Sequence, residues 1–543
     1  MRKLSYQIFF WFAIVALASW LRLAQLGSLP TSPYWEEVAL GYDAYSIGQT
    51  GKDHHGNAWP IVAFESFGDW KPSGYFYAAA ASIKLFGLSV WATRLPAALA
   101  GIISVILLGW LVKLISQFWE IKLANWQLIA MGLAAISPWG ILFSRAAWEV
   151  NLATMLFLLS LGSLIKFLIG WQNNLKTRFF WLLVCVLAAV ASMYTYHALR
   201  VITPAIISWT LWGWVFQFGF KKIWQHFQKN FLSTVITKVV ALSFATILLW
   251  PLISNLRSPV ISQRFAETSL LSDVGPILQS NQMIESYHNQ IWAKIVYHRY
   301  WFQGQLILQQ FFKHLDPGFL FIKGDANPRH SIQYFGQLYY LDAVFSLLGG
   351  FFIWRKRPKL AVWLAGWWLM GTLPAAISTA APHALRTLPT WPVWMIVISF
   401  GIATISENRR WLLSLITAGY LFFLIWFWQV YSKIYQIEFN QDWQAGYESF
   451  YQDLKQQMSL KPNLPVYVSR AAGRPAMYYW FYNQTDPRLV QAENSTAPKD
   501  QGEFLKFQNL HFINSTSEIT TSPAIIATFG PVPNSTKPGW MIW

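Results

Sequence analysis

Along residues 8–430 the chain alternates long apolar runs with short polar joints. The runs fall at 8–26, 93–112, 125–143, 147–168, 179–197, 201–218, 236–254, 336–354, 360–379, 388–405 and 411–430. About 20 mostly apolar residues cross a bilayer as a helix. In hydrocarbon the backbone must satisfy its own hydrogen bonds, so such runs predict helices. Residues 75–90 are shorter and predict either a short crossing or a helix lying at the interface. From residue 431 the pattern changes: LPVYVSR and PAIIATFG read as strands, and QDWQAGYESFYQDLKQQM has helical periodicity. The expected fold is a mainly α-helical polytopic membrane protein. Residues 1–430 would form about eleven transmembrane helices with large loops at 27–74 and 255–335, and residues 431–543 a small extracytoplasmic α/β domain.

Charge placement orients this arrangement, because Lys and Arg gather in short cytoplasmic loops. If 75–90 does not cross, alternate joints carry Arg2/Lys3, Lys113/Lys122, Lys166/Lys176/Arg178, Lys221/Lys222/Lys229, Arg355/Lys356/Arg357/Lys359 and Arg409/Arg410. All then lie on one side, with the N-terminus inside and the C-terminus outside. Only 12% of residues are charged, against about 25% in soluble proteins. The net charge of +17 sits in those joints, which is the pattern of a plasma or inner membrane protein and not of a nucleic-acid binder. The single cysteine, Cys185, lies in an apolar run and excludes an intramolecular disulfide. The first apolar run lacks a small-x-small cleavage site and is read as a retained helix.

The opposite face then collects the unusual polar residues. The loop from Glu36 to Lys71 is the densest ionisable segment near the N-terminus, with Glu36, Glu37, Asp43, Asp53, His54, His55, Glu65, Asp69 and Lys71. Adjacent carboxylates such as Glu36 and Glu37 suit proton removal from an acceptor hydroxyl or amine, although acids in a helix's first turn also simply favour its dipole. Lys71, before a proline at the membrane boundary, suits a lipid phosphate or a snorkelling role. Arg145, Arg200, His383 and Arg386 lie at outer helix ends. An arginine fork matches phosphate geometry, while any one of them alone could be an anchor. The GDANPRH turn places Asp325, Arg329 and His330 just before an apolar run. No cofactor and no metal are expected, since His54, His55 and His330 lack ligand spacing of the HExxH kind. Asn483, Asn494 and Asn514 match glycosylation sequons on the outer side.

An ordered series of these segments resembles a known family. The acidic pair, GYDAYSIGQTGKDHHGNAWP, DWKPSGYFY, LFGLSVWATRLPAALAG, SRAAWE, YTYHALRVITP, KGDANPRHS and PHALRTLP are similar to stretches of the bacterial family 39 glycosyltransferases. These belong to the GT-C class, with protein O-mannosyltransferases and aminoarabinose transferases as relatives. The resemblance spans roughly residues 1–430. It implies transfer of a sugar from a polyprenyl-phosphate donor to an extracytoplasmic lipid, glycan or protein acceptor. The family's first-loop motif is usually Asp-Glu; here Glu36 stands in the aspartate position, followed by Glu37. By this likeness Glu36 is the expected base and Glu37 its partner or an acceptor-positioning group. Lys71, Arg200 and Arg386 are expected on the donor phosphate. Asp43, Arg145, Asp325, Arg329, His330 and His383 are candidate substrate contacts. A transporter or flippase for a lipid-linked sugar is the alternative of another class, and a membrane scaffold whose tail binds a partner is a third.

Overall fold

A computed structural model describes residues 2–170, 175–219, 231–531 and 538–543. The basic joint Lys221/Lys222/Lys229 lies outside the described residues. Among the described residues seven helices are long and apolar enough to cross a membrane: Tyr6–Leu23, Val90–Phe118, Glu149–Ile169, Lys176–Thr195, Leu199–Phe218, Ala384–Ser406 and Trp411–Glu438. An eighth arises if Val239–Ser254 and Pro259–Thr268, bent by 103° at their junction, count as one span. The protein is therefore a mostly helical, multi-pass membrane protein.

The remaining apolar runs are helical but fall short of that test. The run 125–143 is divided into Trp126–Ile136 and Pro138–Leu142. Pro138 has no N–H to continue the first helix, and Ser137 Oγ caps the second by accepting from Gly140 N. Residues Tyr340–Lys356 and Pro358–Ala376 supply 17 and 19 residues. The ambiguous segment is the helix Gly74–Phe86, of 13 residues. At 1.5 Å per residue it measures about 20 Å, less than the roughly 30 Å hydrocarbon core.

Two compact units emerge. The first comprises Met1–Arg22, Ala100–Phe143 and Glu149–Val430. Its helices pack through small residues, as membrane helices do. A Cβ on Gly349 would lie 2.0 Å from Val397 O, and one on Gly401 2.7 Å from Phe345 O, so these two backbones approach as closely as glycine permits. Arg22 is buried and donates to the carbonyls of Ala18, Ala134 and Ala135, covering the C-terminal end of Trp126–Ile136.

The second unit comprises Leu23–Leu99, Ser144–Trp148 and Tyr431–Trp543. Its strands are β1 (Ala63–Ser66), β2 (Asp69–Pro72), β3 (Val466–Ser469), β4 (Lys499–Asp500), β5 (Glu503–Phe504), β6 (Lys506–Phe507), β7 (Leu510–Ile513), β8 (Ile525–Pro531) and β9 (Pro538–Ile542). The main sheet runs β6-β7-β3-β8-β9, with β3 parallel to both neighbours. Both expected strands are present, and the central one, VYVS, is covered as an internal parallel strand must be. The expected helix is Tyr447–Leu460. Its Phe450 stacks on Trp540 of β9 at 3.9 Å between ring centroids, and Tyr447 on Tyr478 at 3.8 Å. The first loop belongs to this same unit. Trp35 N donates to Gln444 Oε1 (2.8 Å), Tyr478 OH to Pro33 O (2.9 Å) and Tyr42 OH to Thr485 O (2.9 Å).

Candidate active site

Two local elements place the first-loop charges. Trp35–Thr50 is a helix with Glu36 and Glu37 in its first turn, where carboxylates favour the dipole. β1 and β2 form a hairpin, Phe64 opposite Lys71 and Ser66 opposite Asp69. Its two loop residues, Phe67 (φ 54°) and Gly68 (φ 76°), both have positive φ, the mark of a type I′ turn whose twist matches the strands. Side chains two apart on a strand share a face, so Asp69 and Lys71 lie together.

The hairpin brings Lys71 to the helix start. Lys71 Nζ is 2.8 Å from Glu36 Oε1 and 3.3 Å from Asp69 Oδ2. Tyr34 OH donates to the other Glu36 oxygen at 3.0 Å. Glu36 keeps 36% of its side chain exposed and Lys71 15%. A carboxylate and a cation, expected from separate motifs, are thus in contact at a solvent-reachable edge.

Glu37 has a different environment. Consecutive helical residues point about 100° apart, so the adjacent acids do not share a site. Glu37 is buried and receives Arg94 Nε and Nη2, each at 3.0 Å, and Ala147 N at 2.7 Å. Arg94 also donates to the carbonyls of Leu26, Pro30 and Ser32. This buried fork ties the start of the loop to the segment Ser144–Trp148. The sequence reading missed Arg94; its signal was an arginine inside the apolar stretch WATRLPAALAG. Arg145 is buried too and donates to Ala24 O (2.6 Å) and Leu29 O (3.2 Å), with its guanidinium 5.7 Å from the Tyr431 ring centroid.

Asp43 lies on the buried side of the same helix. Its Oδ1 accepts from His54 N at 2.9 Å and lies 2.7 Å from His54 Nδ1. Burial pushes the Asp43 carboxyl up to about 7, against the opposing pull of the His54 N–H and His55. Burial also pushes His54 down to about 4. Both shifts favour one shared proton and no net charge. Asp53 accepts from Asn57 N and Nδ2, closing the turn that carries the histidines.

The other candidates belong to the first unit. In GDANPRH, Asp325 Oδ1 accepts from Asn327 N (2.8 Å) and Asn327 Oδ1 from Arg329 N (3.0 Å), two successive Asx turns. Asp325 Oδ2 accepts from Ala384 N at 2.7 Å and lies 3.3 Å from His330 Nδ1 and 3.7 Å from His383 Nδ1. His314 Nδ1 lies 2.9 Å from Gln310 O, and its Nε2 accepts from His383 N at 3.2 Å. Burial alone would raise Asp325, but His330, His383 and the Asn327 N–H hold it below its usual range. Burial, with His330 and Arg386, pushes His383 well down. Arg200, at the start of Leu199–Phe218, donates through Nε to Met193 O. Its two terminal nitrogens are buried and have no hydrogen-bond partner among the described residues. Glu36, Glu37, Lys71, Asp43 and Arg145 are therefore in one unit, and Arg200, Asp325, Arg329, His330, His383 and Arg386 in the other.

Fold and site together define a polytopic helical membrane protein with a carboxylate–lysine pair set in a unit that also holds a C-terminal sheet. Its structural neighbours include ArnT from Cupriavidus metallidurans. In the apo state the TM-score is 0.49 at 13% identity, covering 89% of this chain and 85% of that one. Bound to undecaprenyl phosphate the values are 0.46 and 14%, covering 95% and 92%. The Archaeoglobus fulgidus oligosaccharyltransferase in complex with Zn and sulfate aligns with a TM-score of 0.48 at 10% identity, covering 87% of this chain and 61% of that one. No family model matches the sequence, and no curated protein does.

Proposed function

We propose that the protein is an integral membrane glycosyltransferase that moves a sugar from a polyprenyl-phosphate donor to an extracytoplasmic acceptor, inverting the anomeric centre. The observation that carries this reading is the Glu36–Lys71 contact of 2.8 Å at a partly exposed edge. It joins a proton acceptor to a cation for a leaving phosphate.

In the proposed reaction Glu36 takes the proton of an acceptor hydroxyl or amine. The freed electron pair attacks the anomeric carbon, and the bond from that carbon to the phosphate oxygen breaks. The lipid phosphate leaves with the bonding pair, and Lys71 stabilises its charge. The phosphate is already a competent leaving group, so no acid need protonate it. One displacement gives inversion. A phosphate bound at Lys71 also takes over a cation that otherwise neutralises Glu36, coupling donor binding to release of the base. In the other unit Arg200 is a separate place for an anion, because its two buried terminal nitrogens have no hydrogen-bond partner among the described residues. Glu37 holds the loop through Arg94.

Purified protein given a labelled polyprenyl-phosphate sugar and candidate acceptors tests this. Glu36→Gln should lower turnover by about 10²–10⁴-fold with donor binding retained. Lys71→Met should weaken donor binding. Full transfer by Glu36→Gln would overturn the base assignment. Movement of intact lipid-linked sugar across proteoliposomes, with no release of polyprenyl phosphate, would favour the transporter or flippase.

A further inference from the structure

Asp325, His330 and His383 each offer a ligand atom, and these atoms all lie within 4.8 Å of one another. We propose that they form a zinc site. Two imidazoles and one carboxylate are a ligand set that zinc accepts, with a fourth position left for water or another small ligand. Ligand atoms about 2.0–2.1 Å from a tetrahedral zinc lie about 3.3 Å from one another. Asp325 Oδ2 is 3.3 Å from His330 Nδ1 and 3.7 Å from His383 Nδ1, so small rotations of two rings bring all three into range.

A second observation points to a missing ligand. His383 Nδ1 is buried and has no hydrogen-bond partner among the described residues. An imidazole nitrogen in that position is costly unless something binds it. The supporting shell is in place as well. Asp325 is oriented by the N–H groups of Asn327 and Ala384, and the His383 backbone by His314, whose other nitrogen faces a carbonyl. Metal ligands ordinarily carry such outer partners. Sequence spacing hid the site because its ligands come from two segments, 325–330 and 383. The bound ion would fasten the GDANPRH turn to the start of Ala384–Thr387. A simpler role, histidines balancing one buried carboxylate, leaves His383 Nδ1 3.7 Å from Asp325 Oδ2, too far for a hydrogen bond.

Metal content decides between them, and it is read without donor or acceptor, so it stands apart from the sugar-transfer reading. Full-length protein in detergent, carrying a purification tag without histidine, is stripped with chelator, incubated with Zn²⁺ and desalted. About one zinc per chain is expected, and Co²⁺ in its place should give tetrahedral d–d absorption. His383→Ala loses no hydrogen bond from Nδ1 and should elute as folded protein, with zinc affinity lowered at least about 100-fold. His330→Ala should behave alike, while His288→Asn, at an exposed histidine of the same unit, should bind as the parent does. Zinc also should raise the thermal midpoint of the parent and not of His383→Ala. Substoichiometric metal in the parent, or equal metal in His383→Ala, would overturn the site.

Discussion

At the scale of single residues, two neighbouring glutamates have opposite fates. Glu36 faces Lys71 at an accessible edge, whereas Glu37 is fully buried in the fork of Arg94. Removing one partner of a buried pair strands the other's charge and typically costs about 3–5 kcal/mol. Arg94→Met should therefore lower the thermal midpoint sharply, with Glu37→Gln/Arg94→Met recovering part of the loss. Glu36→Gln, at a partly solvated site, should leave the midpoint nearly unchanged. Differential scanning fluorimetry on the purified variants separates these outcomes.

The Asp43–His54 pair yields a pH prediction. A carboxyl raised to about 7 keeps its proton in the fold while the unfolded chain releases it, so its contribution to stability falls as pH rises from about 4 to 7. A histidine lowered to about 4 disfavours the fold when protonated, so its contribution grows as pH rises from about 4 to 6.5. Between pH 4 and 6.5 the two slopes oppose, because folded and unfolded chains each hold one proton on this pair. Asp43→Asn leaves only the histidine's slope. Its midpoint should rise with pH across that window more steeply than the parent's, by up to about 1.4 kcal/mol for each pKa unit of the histidine's shift. Superimposable parent and variant profiles would refute the shared-proton arrangement.

At the scale of elements, the β1–β2 turn sets where Lys71 points. Gly68 has φ 76°, and a Cβ there would meet nothing nearer than 3.9 Å. Gly68→Ala should thus cost only backbone strain, about 1 kcal/mol, while disturbing transfer through Lys71. Gly349→Ala is a different case, since the new Cβ would lie 2.0 Å from Val397 O. Overpacking of that kind costs about 1–3 kcal/mol or more, and the variant should lose thermal stability without any direct change in donor affinity.

At the scale of the whole molecule, the tail is not a detachable appendage of its own unit. The helix carrying Glu36 rests on Gln444 and Tyr478 through its N-terminal end and on Thr485 through Tyr42. Deleting residues 431–543 should expose the loop 27–74 to limited proteolysis while helices such as Glu149–Ile169 stay protected. Mass spectrometry of the fragments would locate the cuts.

The apolar runs determined the helices by themselves, since hydrocarbon forces each backbone segment to close its own hydrogen bonds. The hairpin carrying Lys71 was not read from the sequence, whereas the central strand VYVS was legible in its buried run. Run lengths and break points were less so, because Pro138 and the 13-residue helix Gly74–Phe86 depend on local geometry more than on mean hydropathy. Tertiary structure alone decided which charges meet. It put Lys71 against Glu36, Arg94 against Glu37, His54 on Asp43 and His383 within reach of Asp325. Arg94 and Glu37 stand 57 positions apart, His383 and Asp325 about as far. Hydrophobic periodicity reports which face is covered and says nothing about the partner that covers it. That information resides in the packing of distant segments, and there the buried charges find their counterions.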